Sequence, residues 1–429
     1  MTVRSDDVLL VHPGKQHAYE VAVALQEHGR LLRFVTGIYD TPSSWLRHAA
    51  DFASGIADHD RMERLWTKRS HPALDAGRVT TWPLAELLSR TVGRLGPIRA
   101  LTGERSDYLF VNWFFDRAIA RALLAGRYKP RAVYAFLGAA RHTFDACRQL
   151  GIRTILDVPI ILTAMDTLRE ERIALNLPTE QRAVSKAHID RELSGADWII
   201  APSAAVVESV RAAGYSGGIN EVPFGGNTKL FRPGPQRDGR FRVVFAGRIE
   251  MRKGLHYLVQ AWHEAGIPGE LLLAGSVGEP EFVRRLRQQY TGTVREVGNL
   301  TESELADLFA SADVFAMPSL AEGSAVVTYE ALAAGLPCLV THETGSVVRN
   351  GVEGFVVPTR SPTALAARLR QLYEDRALRR SMSIAARARA EEFSWESYRE
   401  RLMRAIDSAL EPPQAWRAET IPFRSIEVP

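Results

Sequence analysis

Cysteine is nearly absent from this chain. Two occur in 429 residues, Cys147 and Cys338, and no C-x-x-C spacing marks a metal or redox pair. That excludes a small disulfide scaffold and leaves both as expected reduced core residues. No run of 18 or more apolar residues occurs, so no segment reads as a membrane-spanning helix. The opening residues Met1 to Asp7 lack the basic end and long apolar core of a signal peptide, and the chain is expected to be cytoplasmic. A dominant charge of one sign is missing too: 54 basic residues face 50 acidic ones, a net +4. With 46% hydrophobic and 24% charged residues, the composition excludes disordered and collagen-like chains. No G-x-G-x-x-G follows an apolar run, so an NAD(P) oxidoreductase lacks its fingerprint. No zinc spacing or nucleic-acid motif is present, and no nucleic-acid partner is expected.

What is present is a repeated alternation. Short apolar runs, Val8–Val11, Leu31–Val35, Ala132–Phe136, Thr154–Leu156 and Trp198–Ala201, are separated by helix-length segments. Such runs, apolar on both faces, predict parallel strands covered by helices. Dense Pro and Gly at Val222–Asn227 and Phe231–Pro235 mark a linker. The alternation then restarts with Val243–Ala246, Leu271–Ala274, Val294–Val297, Val314–Met317, Cys338–Thr341 and Phe355–Val357. Two consecutive arrays predict two doubly wound α/β domains, about 1–225 and 226–394, with the ligand cleft at the carboxyl ends of the strands. Residues about 40–115 read as a helical insertion. From Arg360 to Arg404 eleven Arg outnumber six acidic residues, which suits either solvated helix faces or an anionic surface.

Two stretches carry chemistry. In Ala246-Gly247-Arg248-Ile249-Glu250-Met251-Arg252-Lys253-Gly254 a strand ends, a glycine turns, and Arg248 and Lys253 follow five apart before a helix. Lys253 stands out because only six of the 54 basic residues are Lys. Cations beside a helix start at a strand's carboxyl end suit a diphosphate. In Met317 to Pro337, Gly323 permits close backbone approach and Ser324 is expected to cap the following helix. Glu322 precedes that helix, and Glu330 lies six residues beyond Ser324, roughly 9 Å along at about 1.5 Å per residue. Two carboxylates at the ends of a ligand-sized span suit the hydroxyls of a nucleotide sugar.

Together these stretches resemble the retaining glycosyltransferases of family 4, which have the GT-B fold. The resemblance rests on Gly247-Arg248 with Lys253-Gly254, on Glu322-x7-Glu330, and on Ala333-Ala334-Gly335-Leu336-Pro337. Gly298, Ala312-Asp313-Val314, Pro318-Ser319, Asn350-Gly351, Ala201-Pro202-Ser203 and Pro223-Phe224-Gly225 fit it as well. It spans about residues 195–395 and is weaker before them. It implies that Arg248 and Lys253 neutralise a leaving nucleoside diphosphate, that Glu330 binds ribose, and that Glu322 contacts the donor sugar. Gly247, Gly298 and the backbone of Gly323, Ser324 and Ala325 would help hold the donor, and Gly14 would approach it from the first loop. The expected partners are a nucleotide sugar and a glycan or lipid-linked acceptor, with peripheral membrane contact left open, through the Arg-rich segment or the Trp45–Trp113 region. The last helix, within 395–429, is expected to pack back on the first domain, and no cofactor or metal is expected. Asp58-His59-Asp60, the one D-x-D look-alike, reads as surface.

The chain also departs from that pattern. Its first loop, His12-Pro13-Gly14-Lys15-Gln16-His17, has one glycine where two are usual, and Lys15 and His17 become acceptor-side candidates. The family's His after a first-domain strand is missing, and Asp157 stands as its candidate replacement. A sugar-nucleotide epimerase or phosphorylase on the same fold, and a non-catalytic partner subunit, remain the alternatives.

Overall fold

The computed structural model describes residues 7–14, 17–40, 69–82, 106–179, 186–234, 239–290 and 292–411. Two wholly parallel sheets organise them. The first holds β1 (Val8–His12), β2 (Leu31–Thr36), β3 (Val79–Thr81), β4 (Ala132–Phe136), β5 (Arg153–Asp157), β6 (Trp198–Ala201) and β7 (Gly218–Glu221), in the order β3-β2-β1-β4-β5-β6-β7. The second holds β8 (Arg242–Ala246), β9 (Glu270–Ala274), β10 (Val294–Gly298), β11 (Val314–Met317), β12 (Cys338–Thr341) and β13 (Gly354–Val357), in the order β10-β9-β8-β11-β12-β13. The apolar runs read as strands are all strands. Their residues are buried along whole strands, as in β1, β4, β9 and β11, because helices cover both faces.

Two strands escape the sequence pattern, β3 and β7. Both are edge strands with half-buried or exposed residues, so neither shows a continuous apolar run. β3 and the turn at Ala76–Arg78 lie inside the segment expected to be helical, which corrects that expectation for residues 69–82. A helix, α2 (Ser106–Leu124), closes the segment; Asp58-His59-Asp60, Lys15 and the tail after Glu411 lie outside the described residues.

The helices that position the site are α1 (Ala18–Glu27), α3 (Arg141–Leu150), α4 (Ala164–Ala174), α5 (Lys186–Ser194), α6 (Ala204–Ala212), α7 (Leu255–Ala265), α8 (Pro280–Arg287), α9 (Glu302–Ala310), α10 (Val326–Ala333), α11 (Pro362–Glu374), α12 (Arg376–Glu392) and α13 (Trp395–Leu410). Chain order and packing part company twice. α4 precedes the linker, yet Leu168 and Leu177 join the core of the second sheet. α13 ends the described chain, yet Leu402 and Ile406 are fully buried in the core of the first sheet, a burial that stabilises by roughly 1.5–3 kcal/mol per side chain. Arg399 fastens α13 to α1 through Glu20 and Glu27, each at 2.9 Å.

The chain passes between the sheets at Gly225 and Gly226 and again at Phe393 and Ser394, and these two passages lie side by side. Gly226 N–H donates to the Phe393 carbonyl at 3.0 Å, and a side chain at Gly225 would collide with the Ser394 carbonyl. The Arg-rich segment is mixed: Arg360, Arg370, Arg376, Arg380 and Arg404 are exposed, as solvated helix faces would be, while the others are half-buried. Arg387 donates to three carbonyls, of Thr228, Phe231 and Ala333, and Arg401 to those of Pro223 and Phe224. Both cysteines are buried and free, and burial pushes the Cys147 thiol up to about 12.

Candidate functional site

Each sheet reverses its strand order once, between β1 and β4 and between β8 and β11. Loops leaving the carboxyl ends at such a point splay apart and leave a crevice. At the second sheet these are the loops after β8 and β11, which contain both sequence motifs. Gly254 sits at φ +68, and a side chain there would run into the Pro318 carbonyl, so glycine lets the Met251–Lys253 turn lie against the loop after β11. The Leu320 N–H donates to the Arg252 carbonyl at 2.8 Å and fixes that contact.

A cavity of about 340 Å³ opens there, lined by Gly247, Lys253, Glu322, Ser324, Ala325 and Glu330, with Leu305 and Val327 as apolar walls. Two larger cavities, of about 880 and 710 Å³, lie at the other end of the sheets, beside Gly269 and Glu270 of the second and Arg131 and Arg153 of the first. Size therefore does not mark the site; the strand ends and the motif residues do.

Lys253 Nζ pairs with Glu322 Oε1, and both side chains are nearly buried. Arg252 Nη1 reaches the same oxygen at 2.5 Å. Burial raises the Glu322 pKa, but the charges of Lys253 and Arg252 outweigh it and hold the carboxyl below its ordinary value. Among the described residues no cation offsets the burial of Glu330. Burial pushes it up to about 7, with the Glu302 charge adding to the effect. The cavity lining therefore holds one carboxylate kept ionised by two cations and one carboxyl that ionises near neutrality.

Other candidates stand differently. Arg248 does not line the cavity; it is about two-thirds exposed, with Nε 3.6 Å from Glu250 Oε2. Gly298 sits exposed at the end of β10, its carbonyl accepting from Gly275 N–H at 2.7 Å, outside the cavity lining. Ser324 does not cap α10. Ala325 holds the cap position without a side-chain bond, while the Ser324 hydroxyl donates to the Gly345 carbonyl and meets the Tyr329 hydroxyl, each at 2.7 Å. The Ala325 N–H is spent on the Thr344 carbonyl at 3.2 Å, so it is not a free phosphate donor here. Gly323 does permit close approach, but of the first half: a side chain there would strike the Pro159 carbonyl, and its own carbonyl accepts from Ser203 Oγ at 2.5 Å.

The facing half brings its candidates together. Asp157 ends β5 buried, and its Oδ2 lies 2.8 Å from His17 Nε2 and accepts from the Tyr134 hydroxyl at 2.6 Å. The His17 ring lies between Phe136 and Phe224, 4.4 Å from the latter. Gly14 N–H donates to His12 Nδ1 at 2.6 Å. Tyr134, Glu250 and Arg252 join these groups in the folded chain without a motif of their own in the sequence. A strand Tyr reads as core and a loop Arg as solvated charge, so no signal short of the fold marks the first. Arg252 was findable as the neighbour of Lys253.

Residues 227–389 match the family described as glycosyl transferases group 1. The chain is 32% identical over 210 residues to a D-inositol 3-phosphate glycosyltransferase of Paenarthrobacter aurescens, covering 42% of this chain and 52% of that protein. It is 28% identical over 162 residues to an O-antigen chain mannosyltransferase B of Escherichia coli, covering 36% and 42%. The matches thus span about half the length of these relatives. Its fold is similar to that of Anabaena HepE solved with UDP and glucose, with TM-score 0.60, 17% identity and 94% and 99% of the two chains covered. Sucrose-phosphate synthase from Thermosynechococcus elongatus superposes at TM-score 0.63, 19% identity, over 94% and 98%. Two parallel α/β sheets, a crevice at the strand ends and the likeness to these solved structures converge on the GT-B fold, and residues 227–389 within it are similar to the glycosyl transferases group 1 family.

Proposed function

We propose that this chain transfers a sugar, with retention of configuration, from a nucleoside-diphosphate sugar to a hydroxyl acceptor. The observation that carries the reading is the cavity at the β8/β11 reversal, where Lys253, Glu322 and Glu330 meet around an apolar wall. Lys253 and the exposed Arg248 neutralise the diphosphate as the glycosidic bond breaks, which stabilises charge that grows in the transition state. Glu330, once ionised, accepts from ribose hydroxyls, and Glu322 accepts from the donor sugar. The acceptor hydroxyl enters from the first half, beside His17 held by Asp157. It attacks the face the diphosphate leaves, and a phosphate oxygen takes its proton; the products are the glycoside and the nucleoside diphosphate. Arg and Lys do here what a divalent cation does elsewhere, and no cofactor enters the scheme.

The names of two relatives, for inositol 3-phosphate and O-antigen chains, support a hydroxyl acceptor of the sugar or glycan class. A glycan or lipid-linked acceptor in envelope or exopolysaccharide synthesis, met at the inner membrane face, is the finer reading. No helix among the described residues is long and apolar enough to cross a membrane. The domain limits 1–225, 226–394 and 395–429 belong to the same proposal, with α4 and α13 exchanged as described.

Thermal denaturation with UDP, GDP, ADP and their sugar conjugates tests the donor site. A ligand present far above its Kd stabilises by about 3–4 kcal/mol. Stabilisation by one diphosphate, lost in Lys253→Ala and Glu330→Ala, supports the reading. No shift with any of them at millimolar concentration overturns it.

A further inference from the structure

Arg252 is the centre of a chain of alternating charge. Arg248 Nε lies 3.6 Å from Glu250 Oε2; Glu250 Oε1 accepts from Arg252 Nη2 at 2.8 Å and from its Nε at 3.1 Å. Arg252 Nη1 lies 2.5 Å from Glu322 Oε1, which also pairs with Lys253. The two cations assigned to the diphosphate thus stand at the ends, and each is tied to a carboxylate that Arg252 also holds. Arg252 is further seated by its bond from Nη1 to the Ala321 carbonyl at 3.1 Å. Its guanidinium forks to two carboxylates and a carbonyl, a geometry that an ammonium reproduces only in part.

We infer that Arg252 is a positioning residue that keeps Glu322 ionised and aimed when the donor diphosphate draws Lys253 away from it. This rests on the donor-site reading above. A diphosphate competes for Lys253 as the stronger anion, and Glu322 is buried. Left alone, a buried carboxylate takes a proton. With Arg252 in place it retains a cation at hydrogen-bonding distance and stays an acceptor for sugar hydroxyls. The other charged groups around Glu322 are accounted for. Glu250 lies beyond Arg252, and Glu330 faces the same cavity. The Glu343 carbonyl accepts from the Glu322 N–H at 2.9 Å, and the Glu343 carboxylate is engaged by Thr359. On the first-domain side the Glu322 carbonyl accepts from Ile161 N–H at 3.2 Å, an uncharged contact.

Calorimetric titration of the full chain at pH 6, with whichever of UDP, GDP or ADP stabilises it, tests the role. Two buffers of different ionisation enthalpy give the protons taken up on binding. Arg252→Gln is expected to take up more protons than wild type, by about 0.3–1 per site. Arg252→Lys, which keeps the charge, is expected to return most of the difference. The double variant Arg252→Gln, Glu322→Gln is expected to lose the extra uptake, because the titrating group is gone. A merely structural Arg252 would weaken binding without changing the proton count, and that result overturns the inference, as does extra uptake persisting in the double variant. Carbon-13 carboxyl shifts of the wild type, with Glu322 assigned through Glu322→Gln, give a measurement that needs no Arg252 variant. Glu322 is expected to stay ionised at pH 5.5 with saturating diphosphate, and its protonation on binding overturns the role. Failure of wild type to bind any of the three diphosphates defeats the donor-site reading itself, a distinct outcome.

Discussion

Glu171, on a helix that precedes the linker, accepts from His256 Nε2 at 2.8 Å, on a helix of the second sheet. Its carboxylate also accepts from the Tyr257 hydroxyl at 2.7 Å and from Arg360 Nε at 2.8 Å. The two halves are therefore joined by a buried carboxylate as well as by apolar contact.

That junction predicts a pH-dependent stability. Burial alone raises the Glu171 pKa, but the bonds from His256, Tyr257 and Arg360 outweigh it and bring it to about 2. A depressed carboxyl contributes fully above its ordinary range and loses that contribution as pH falls towards 2. Glu171→Leu strands the polar groups of three partners, and is expected to cost about 3 kcal/mol or more at pH 7. Urea unfolding at pH 7 and pH 3 checks it: the gap between wild type and variant should narrow at the lower pH.

Glu330 predicts a pH-dependent affinity. In the free protein it titrates at about 7, so at pH 6 donor binding must first remove a proton. Affinity is expected to strengthen from pH 6 to 8, by up to about tenfold per pH unit below the pKa. The diphosphate titrates in the same range, so the comparison is with Glu330→Gln. Equal pH slopes for the two proteins would rule out ionised Glu330 as a ribose acceptor.

Gly254 and Gly351 separate backbone strain from collision. Both have positive φ, +68 and +82, but only at Gly254 does a side chain meet backbone. Gly351→Ala is expected to cost about 1–2 kcal/mol from strain alone. Gly254→Ala should cost more and also lower diphosphate affinity, because the turn carrying Lys253 must lift off Pro318. Matched melting and binding curves decide it.

Asp157 predicts a split between binding and turnover. Asp157→Asn keeps the size but not the charge that orients His17. Turnover is expected to fall about tenfold to a hundredfold, at the lower end of acid–base effects. Diphosphate affinity, which the proposed donor site places in the other half, should be unchanged. A parallel loss of both would make Asp157 a folding residue only.

Much of the fold was legible because parallel strands buried on both faces leave unbroken apolar runs. β3 and β7 were not, since an edge strand of three or four half-exposed residues carries no such run. The two motifs that border the cavity were legible because Gly247, Lys253, Gly254 and Glu322 answer to local demands: a turn, a helix start, a carboxylate before a helix. Ser324 misled for the same reason. A serine before a helix is a good local cap, but here Gly345 and Tyr329 offer its hydroxyl better partners from distant parts of the chain.

Local order along the chain, then, determined the two α/β arrays, the linker and the candidates for diphosphate and hydroxyl contact. Tertiary structure alone decided which of them meet. It set Lys253 and Arg252 on one oxygen of Glu322, left Arg248 in solvent, joined His17 to Asp157 across 140 residues, and sent α4 and α13 to the opposite sheets. The reason is physical. Periodicity and turn chemistry act over a few residues, whereas ion pairing and burial depend on which surfaces the folded chain brings into contact.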